Sequence, residues 1–129
     1  MSFITDTHAF IWHLTHDPRL GKKAVEVFDK SERGEVIIII PTIVLAECLY
    51  LAEKYKIALK FTRIVRRIRI ATNYMTYPLS LDVVIEAQKL KKLREIHDRI
   101  IVATAKLMDA GLITKDKSIQ KSQYVEVIW

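Results

Sequence analysis

The sequence predicts an α/β domain built on a central parallel sheet with helices on both faces. Three observations predict it. Short apolar strands alternate with stretches of helical periodicity along the whole chain, the order expected of parallel strands joined by helical crossovers. The run Val36-Ile37-Ile38-Ile39-Ile40 is β-branched with no polar alternate, the pattern of a strand covered on both faces. A chain of 129 residues with only three Gly and three Pro suits one domain, residues 1–129, made of long helices and short connections.

Each element follows from its own pattern. Residues 3–6 form a short strand, and residues 8–14 a helix that stops ahead of Pro18. Residues 21–33 set Ala24, Val25, Val27 and Phe28 among charges at helical spacing. Beyond the strand at 36–40, Pro41-Thr42 opens a helix over residues 43–55 with Thr42 as its N-cap. A helix over 58–71 keeps Phe61, Ile64, Val65 and Ile68 in i, i+3, i+4, i+7 order and turns Arg63, Arg66 and Arg67 to the other side. Residues 75–79 are extended and broken by Pro78; Ser80 caps a helix over 81–94 with Val84, Ala87 and Leu90 facing inward. His97-Asp98 begins the most apolar helix, 100–110, which should be buried and end at Gly111 as C-cap. Residues 112–114 are a strand, 117–120 a helical turn and 125–128 the last strand.

Composition narrows the function classes. The single cysteine, Cys48, excludes an internal disulfide and a cysteine-built zinc site, and suits a reducing compartment. The start MSFITDTHAF has no basic stretch ahead of an apolar one, and no run approaches a membrane span. A soluble, cytoplasmic protein with no membrane association is therefore expected. Lys and Arg outnumber Asp and Glu by 21 to 15, a balance that favours polyanionic partners as well as solubility.

Four acids stand at the margins of apolar elements: Asp6, Glu47, Asp98 and Asp116. In an open parallel sheet, ligands bind beyond the carboxyl ends of the strands where strand order reverses, and Asp6 and Asp116 follow strands directly enough to reach that edge. Each has a structural alternative: an N-cap for Asp6, a cap or Asx-turn for Asp116, and an N-cap in a favourable helix dipole for Asp98. Glu47 is the sharper case. Its helical neighbours Ile43, Val44, Tyr50 and Leu51 are apolar, and an unpaired carboxylate among them needs a cation or an Arg partner.

Together the four make an oxygen-ligand set without His or Cys, which is the set a hard cation such as Mg²⁺ or Mn²⁺ requires. The chemistry that follows is phosphodiester hydrolysis. Thr5, Thr7 and Thr114, beside the acids, support a bound water or cap element ends. Arg63, Arg66, Arg67, Lys89 and Lys92 could form a rim that holds the phosphodiester polymer, or are simply solvated helix faces. A covalent phosphoacceptor role for Asp6 expects a second Asp two residues on, where His8 stands.

The chain resembles the PIN domains, in particular the small VapC-type toxins. The likeness rests on Phe3-Ile4-Thr5-Asp6-Thr7-His8, on Ile40-Pro41-Thr42-Ile43-Val44-Leu45-Ala46-Glu47, on His97-Asp98-Arg99-Ile100-Ile101-Val102-Ala103-Thr104-Ala105 and on Leu112-Ile113-Thr114-Lys115-Asp116, in that order and spacing. It implies a PIN-like sandwich and a Mg²⁺- or Mn²⁺-dependent endoribonuclease. By it Asp6, Glu47 and Asp98 are the core metal ligands, Asp116 the more variable fourth acid, and Thr5 or Thr7 a support behind them. It also implies RNA as substrate, a homodimer, and a cognate small antitoxin that covers the active groove. Two alternatives share the fold: a non-catalytic RNA- or protein-binding module, and a housekeeping RNA-processing nuclease.

Overall fold

Strand β1 (Ser2–Thr5) lies at the centre of the molecule, because the two strands it pairs with come from opposite halves of the chain. In the computed structural model, which describes residues 1–55 and 59–129, β2 (Ile37–Pro41) runs parallel to β1 on one side and β4 (Gly111–Ile113) on the other. Outside them lie β3 (Tyr74–Tyr77) and β5 (Val127–Ile128), so the order is β3-β2-β1-β4-β5 and every pairing is parallel. Strand order reverses between β1 and β4.

Parallel neighbours require crossovers, and helices supply them. Helices α1 (Thr7–Leu14) and α2 (Lys22–Glu32) link β1 to β2, and α3 (Thr42–Tyr55) and α4 (Phe61–Ile70) link β2 to β3. Then α5 (Leu81–Gln88) and α6 (Ile96–Leu107) lead to β4, and α7 (Lys117–Ser122) to β5. The expected start of the fourth helix, Ala58, lies outside the described residues.

The core is where the apolar runs placed it. Ile38, Ile39 and Ile40 are all fully buried although successive strand residues point to opposite faces, so both faces of β2 are covered. Each such side chain contributes roughly 1.5–3 kcal/mol relative to an exposed one. In α6, residues 100–105 are buried in succession, which only a helix surrounded by protein allows. Cys48 is buried and its thiol is pushed up to about 12, chiefly by burial, so it is inert. Among the described residues no helix is long and apolar enough to cross a membrane.

Three local expectations are corrected. Thr42 is the first residue of α3 rather than its cap, and its hydroxyl instead accepts the Leu79 N–H at 3.0 Å, tying down the segment after β3. Helix α5 stops at Gln88, and it buries Val83 and Ala87 while Val84 is 51% exposed. The chain turns there because Leu90 and Leu93 bury themselves through a non-helical turn. That turn is pinned by the Arg99 side chain, which donates to the Leu93 carbonyl, and by the Tyr124 hydroxyl, which accepts the Lys92 N–H. Tyr124 stands 32 positions on from Lys92, so local periodicity carried no sign of it. Finally, α6 ends at Leu107 with Asp109 in the left-handed region at φ 49°, and Gly111 opens β4. Glycine serves close approach at that point: a Cβ on Gly111 would lie 2.6 Å from Ile128 Cδ1.

Candidate active site

Asp6 leaves β1 at the point where strand order reverses. Its N–H donates to the Ile113 carbonyl at 3.1 Å, fixing it beside β4, and its Oδ1 accepts the Ala9 N–H at 2.9 Å as N-cap of α1. The structural alternative for Asp6 is thus realised: one of its oxygens caps the helix. Asp116 repeats the arrangement one strand away. Its Oδ1 accepts the Ile119 N–H at 3.0 Å as N-cap of α7 and a bond from the Ser118 hydroxyl.

Glu47 comes from α3. It forms no ion pair with an Arg or Lys among the described residues, and its Oε1 accepts the Thr7 hydroxyl at 2.8 Å. It is half-buried at the margin of the apolar stripe, since Val44 and Cys48 alone of that helix are fully covered and Tyr50 is exposed. Asp98 stands in the first turn of α6 but does not cap it. Glu95 does, accepting the Asp98 N–H at 2.8 Å, so the Asp98 carboxyl is left without that use.

All four acids line one cleft of about 640 Å³. The threonines stand behind them: Thr5 donates to the Asp6 carbonyl at 3.0 Å, Thr7 orients Glu47, and Thr114 accepts the Asp116 N–H at 3.1 Å.

Their electrostatics are those of crowded like charges. Asp98 is pushed up to about 6, first by burial and then by the charges of Asp116, Glu95, Asp6 and Glu47. Asp6 is raised by burial, which outweighs the opposing bonds from Thr114 and Ala9. At Asp116 burial pulls upward, but the bonds from Ser118 and Ile119 leave it below the ordinary carboxylate value. The donor set, all oxygen and mutually repelling, suits a hard divalent cation in kind. In spacing, no group of three or more His, Cys, Asp or Glu side chains is drawn together closely enough to hold one among the described residues.

The expected rim cations lie elsewhere. Arg67 donates to Glu32 at 2.9 Å, Arg63 and Arg66 are exposed on α4, Lys89 pairs with Glu86 at 3.1 Å, and Lys92 sits over the Tyr124 ring; none lines the cleft. The cleft has other cations: Arg19, Lys115 and Lys117, together with Trp12 and His8. Lys115 and Lys117 flank Asp116 in sequence, a signal that was open to reading. Arg19, thirteen positions from Asp6 across a helix and a loop, gave none.

Comparison with known proteins bears on the fold. A family model for the PIN domain matches residues 3–123. No curated protein sequence matches the chain. Among solved structures, VapBC2 from Rickettsia felis bound to a promoter DNA fragment is similar with a TM-score of 0.72 at 16% identity, covering 98% of this chain and 97% of the other. Mycobacterium tuberculosis VapC20, a sarcin-ricin loop cleaving toxin, gives 0.71 at 13% identity over 98% and 99%. A toxin–antitoxin complex from Klebsiella pneumoniae gives 0.67 at 22% identity over 95% and 93%. At these identities the likeness is one of fold.

Proposed function

The chain belongs to the PIN domain family, and from that premise we propose that it is a metal-dependent endoribonuclease, the toxin of a toxin–antitoxin pair. The observation that carries the reading is the convergence of Asp6, Glu47, Asp98 and Asp116 on one cleft at the reversal of strand order, with Asp98 raised first by burial and then by the charges around it. Asp6, Glu47 and Asp98 would hold Mg²⁺ or Mn²⁺, with Asp116 as an auxiliary acid. Such an ion supplies a Lewis acid that activates water and neutralises charge on a phosphodiester. The chain's own residues do the rest. Thr7 holds the Glu47 carboxylate in one orientation, and the Asp6 N–H bond to Ile113 fixes the position of the first acid relative to β4. Thr114 ties the backbone of Asp116 to the end of the same strand.

The toxin assignment is supported by the company the fold keeps, since the similar structures include toxin–antitoxin complexes. A cognate small antitoxin is therefore the protein partner proposed, and RNA the substrate. The same reading includes a cytoplasmic homodimer, for which exposed Leu81, Val84 and Ile85 on α5 offer an apolar surface. Strand β5 pairs with β4 beyond residue 123, which supports a domain running through residues 1–129.

A second reading, a non-catalytic RNA- or protein-binding module, is favoured by one observation: the acids are not drawn into a closed ligand group. One experiment separates the two. Purified protein incubated with RNA should cleave it with Mg²⁺ or Mn²⁺ and not with a chelator, and Asp6→Asn or Asp98→Asn should lose cleavage while keeping the fold. RNA binding without metal-dependent product would establish the second reading.

A further inference from the structure

Two of the cleft's cations share one aromatic ring. Arg19 Cζ lies 4.6 Å and Lys115 Nζ 5.7 Å from the Trp12 ring centroid. Neither is used to neutralise the acids: among the described residues Arg19 pairs only with Asp17, and Lys115 forms no ion pair. A polyanion entering a cleft lined by four carboxylates meets repulsion unless fixed positive charge lies beside them. We propose that Arg19 and Lys115, seated over Trp12, form a phosphate-binding subsite that grips the RNA backbone next to the carboxylate cluster. The proposal rests on reading the cleft as a nuclease site.

The subsite is set in advance. Asp17 accepts from Arg19 Nε at 3.0 Å, from Nη2 at 2.8 Å and from the Arg19 backbone N–H at 2.9 Å, so the guanidinium is held in one plane. That use leaves both Nη1 hydrogens and one on Nη2 for an incoming oxygen. Trp12 is fixed in turn. Its ring meets Trp129 edge-on at 6.0 Å, and Trp129 lies so close to Gly21 that a Cβ there would fall 2.6 Å from it. A ring held this way, buried to 9% exposure and already carrying two cations, offers little surface for a base to stack on. The subsite therefore recognises phosphate and is indifferent to base identity.

The test is equilibrium binding of a short labelled oligouridylate to the full chain in chelator, so that no turnover intervenes, followed by fluorescence anisotropy over a range of salt. The double variant Arg19→Gln, Lys115→Gln should bind about tenfold more weakly, with a salt slope shallower by about 1 to 1.4, the loss of two single-strand phosphate contacts. Lys115→Gln alone, at an exposed position, should give part of both changes without any effect on folding. Lys30→Gln, which does not line the cleft, is the control matched in charge to Lys115→Gln and should match the parent. Oligoadenylate should show the same losses. Unchanged affinity and slope in both cleft variants, a loss equal to that of the control, or absence of oligonucleotide binding by the parent would overturn the subsite. Binding that depends on Arg19 and Lys115 in a protein that never cleaves would uphold the subsite and sink the nuclease reading instead. Metal-dependent cleavage with no dependence of binding on the two cations would do the reverse.

Discussion

Glu32 and Asp98 are both partly exposed carboxylates on helices, and the protein treats them in opposite ways. Glu32 accepts from His13 Nε2 at 3.0 Å, from Arg67 Nη2 at 2.9 Å and from the Tyr74 hydroxyl at 3.0 Å. Burial pulls its pKa upward, yet these donors together hold it below the ordinary value. Asp98 has no comparable donors and faces Asp116, Glu95, Asp6 and Glu47, and its pKa is driven up to about 6. A carboxylate that serves the fold is satisfied within the chain. On the proposed reading, one that is left to repel its neighbours awaits a counter-charge from outside the chain.

The largest test of that contrast is catalytic. Asp98→Asn and Asp6→Asn should each lower metal-dependent RNA cleavage by more than about a hundredfold, beyond what loss of a supporting residue costs. Asn caps a helix as well as Asp does, so Asp6→Asn should leave α1 intact. Glu32→Gln should leave cleavage unchanged and cost about 1 kcal/mol of stability in a denaturant titration, a figure reduced for the partial exposure of the pair. Equal loss of cleavage in Glu32→Gln and Asp98→Asn would erase the distinction. Next in size, Thr7→Val frees Glu47 from its hydroxyl donor and should reduce cleavage about tenfold, with added metal restoring part of it.

A smaller effect reads the electrostatics directly. Because the folded-state pKa of Asp98 is raised above 3.8, the folded protein binds the extra proton. The contribution of this group to stability is present below pH 3.8 and is lost as pH rises through about 6. Metal-free Asp98→Asn should therefore melt a few degrees above the parent at neutral pH, with the gap closing on acidification towards pH 4. An Asp98→Asn variant that melts below the parent at neutral pH, with the deficit shrinking on acidification, would show instead that Asp98 is satisfied by an internal partner.

Much of this was legible before any coordinates. The unbroken Ile37–Ile40 run announced a covered strand; Asp6, Asp98 and Asp116 stood out at the margins of apolar elements, and Glu47 for its apolar helical neighbours. What escaped was whatever depends on remote partners. Helix α5 stops at Gln88, and the turn that follows is held in part by Tyr124, 32 positions on from Lys92. The cations of the cleft escaped for the same reason. Arg63 and Arg66 form a conspicuous basic stripe but face solvent, whereas Arg19 reaches the cleft only through the loop held by Asp17 and the ring of Trp12. A charge run shows in sequence; a single charge folded back over an aromatic ring does not.

The most direct measurement is calorimetric titration of Mn²⁺ into metal-free protein at pH 7.5 and pH 5, repeated with Asp98→Asn and Glu32→Gln. The account predicts binding to the parent and to Glu32→Gln that weakens at the lower pH as protons compete for Asp98, and loss of binding in Asp98→Asn. Binding that is independent of pH and survives in Asp98→Asn, or its absence from the parent, would contradict it.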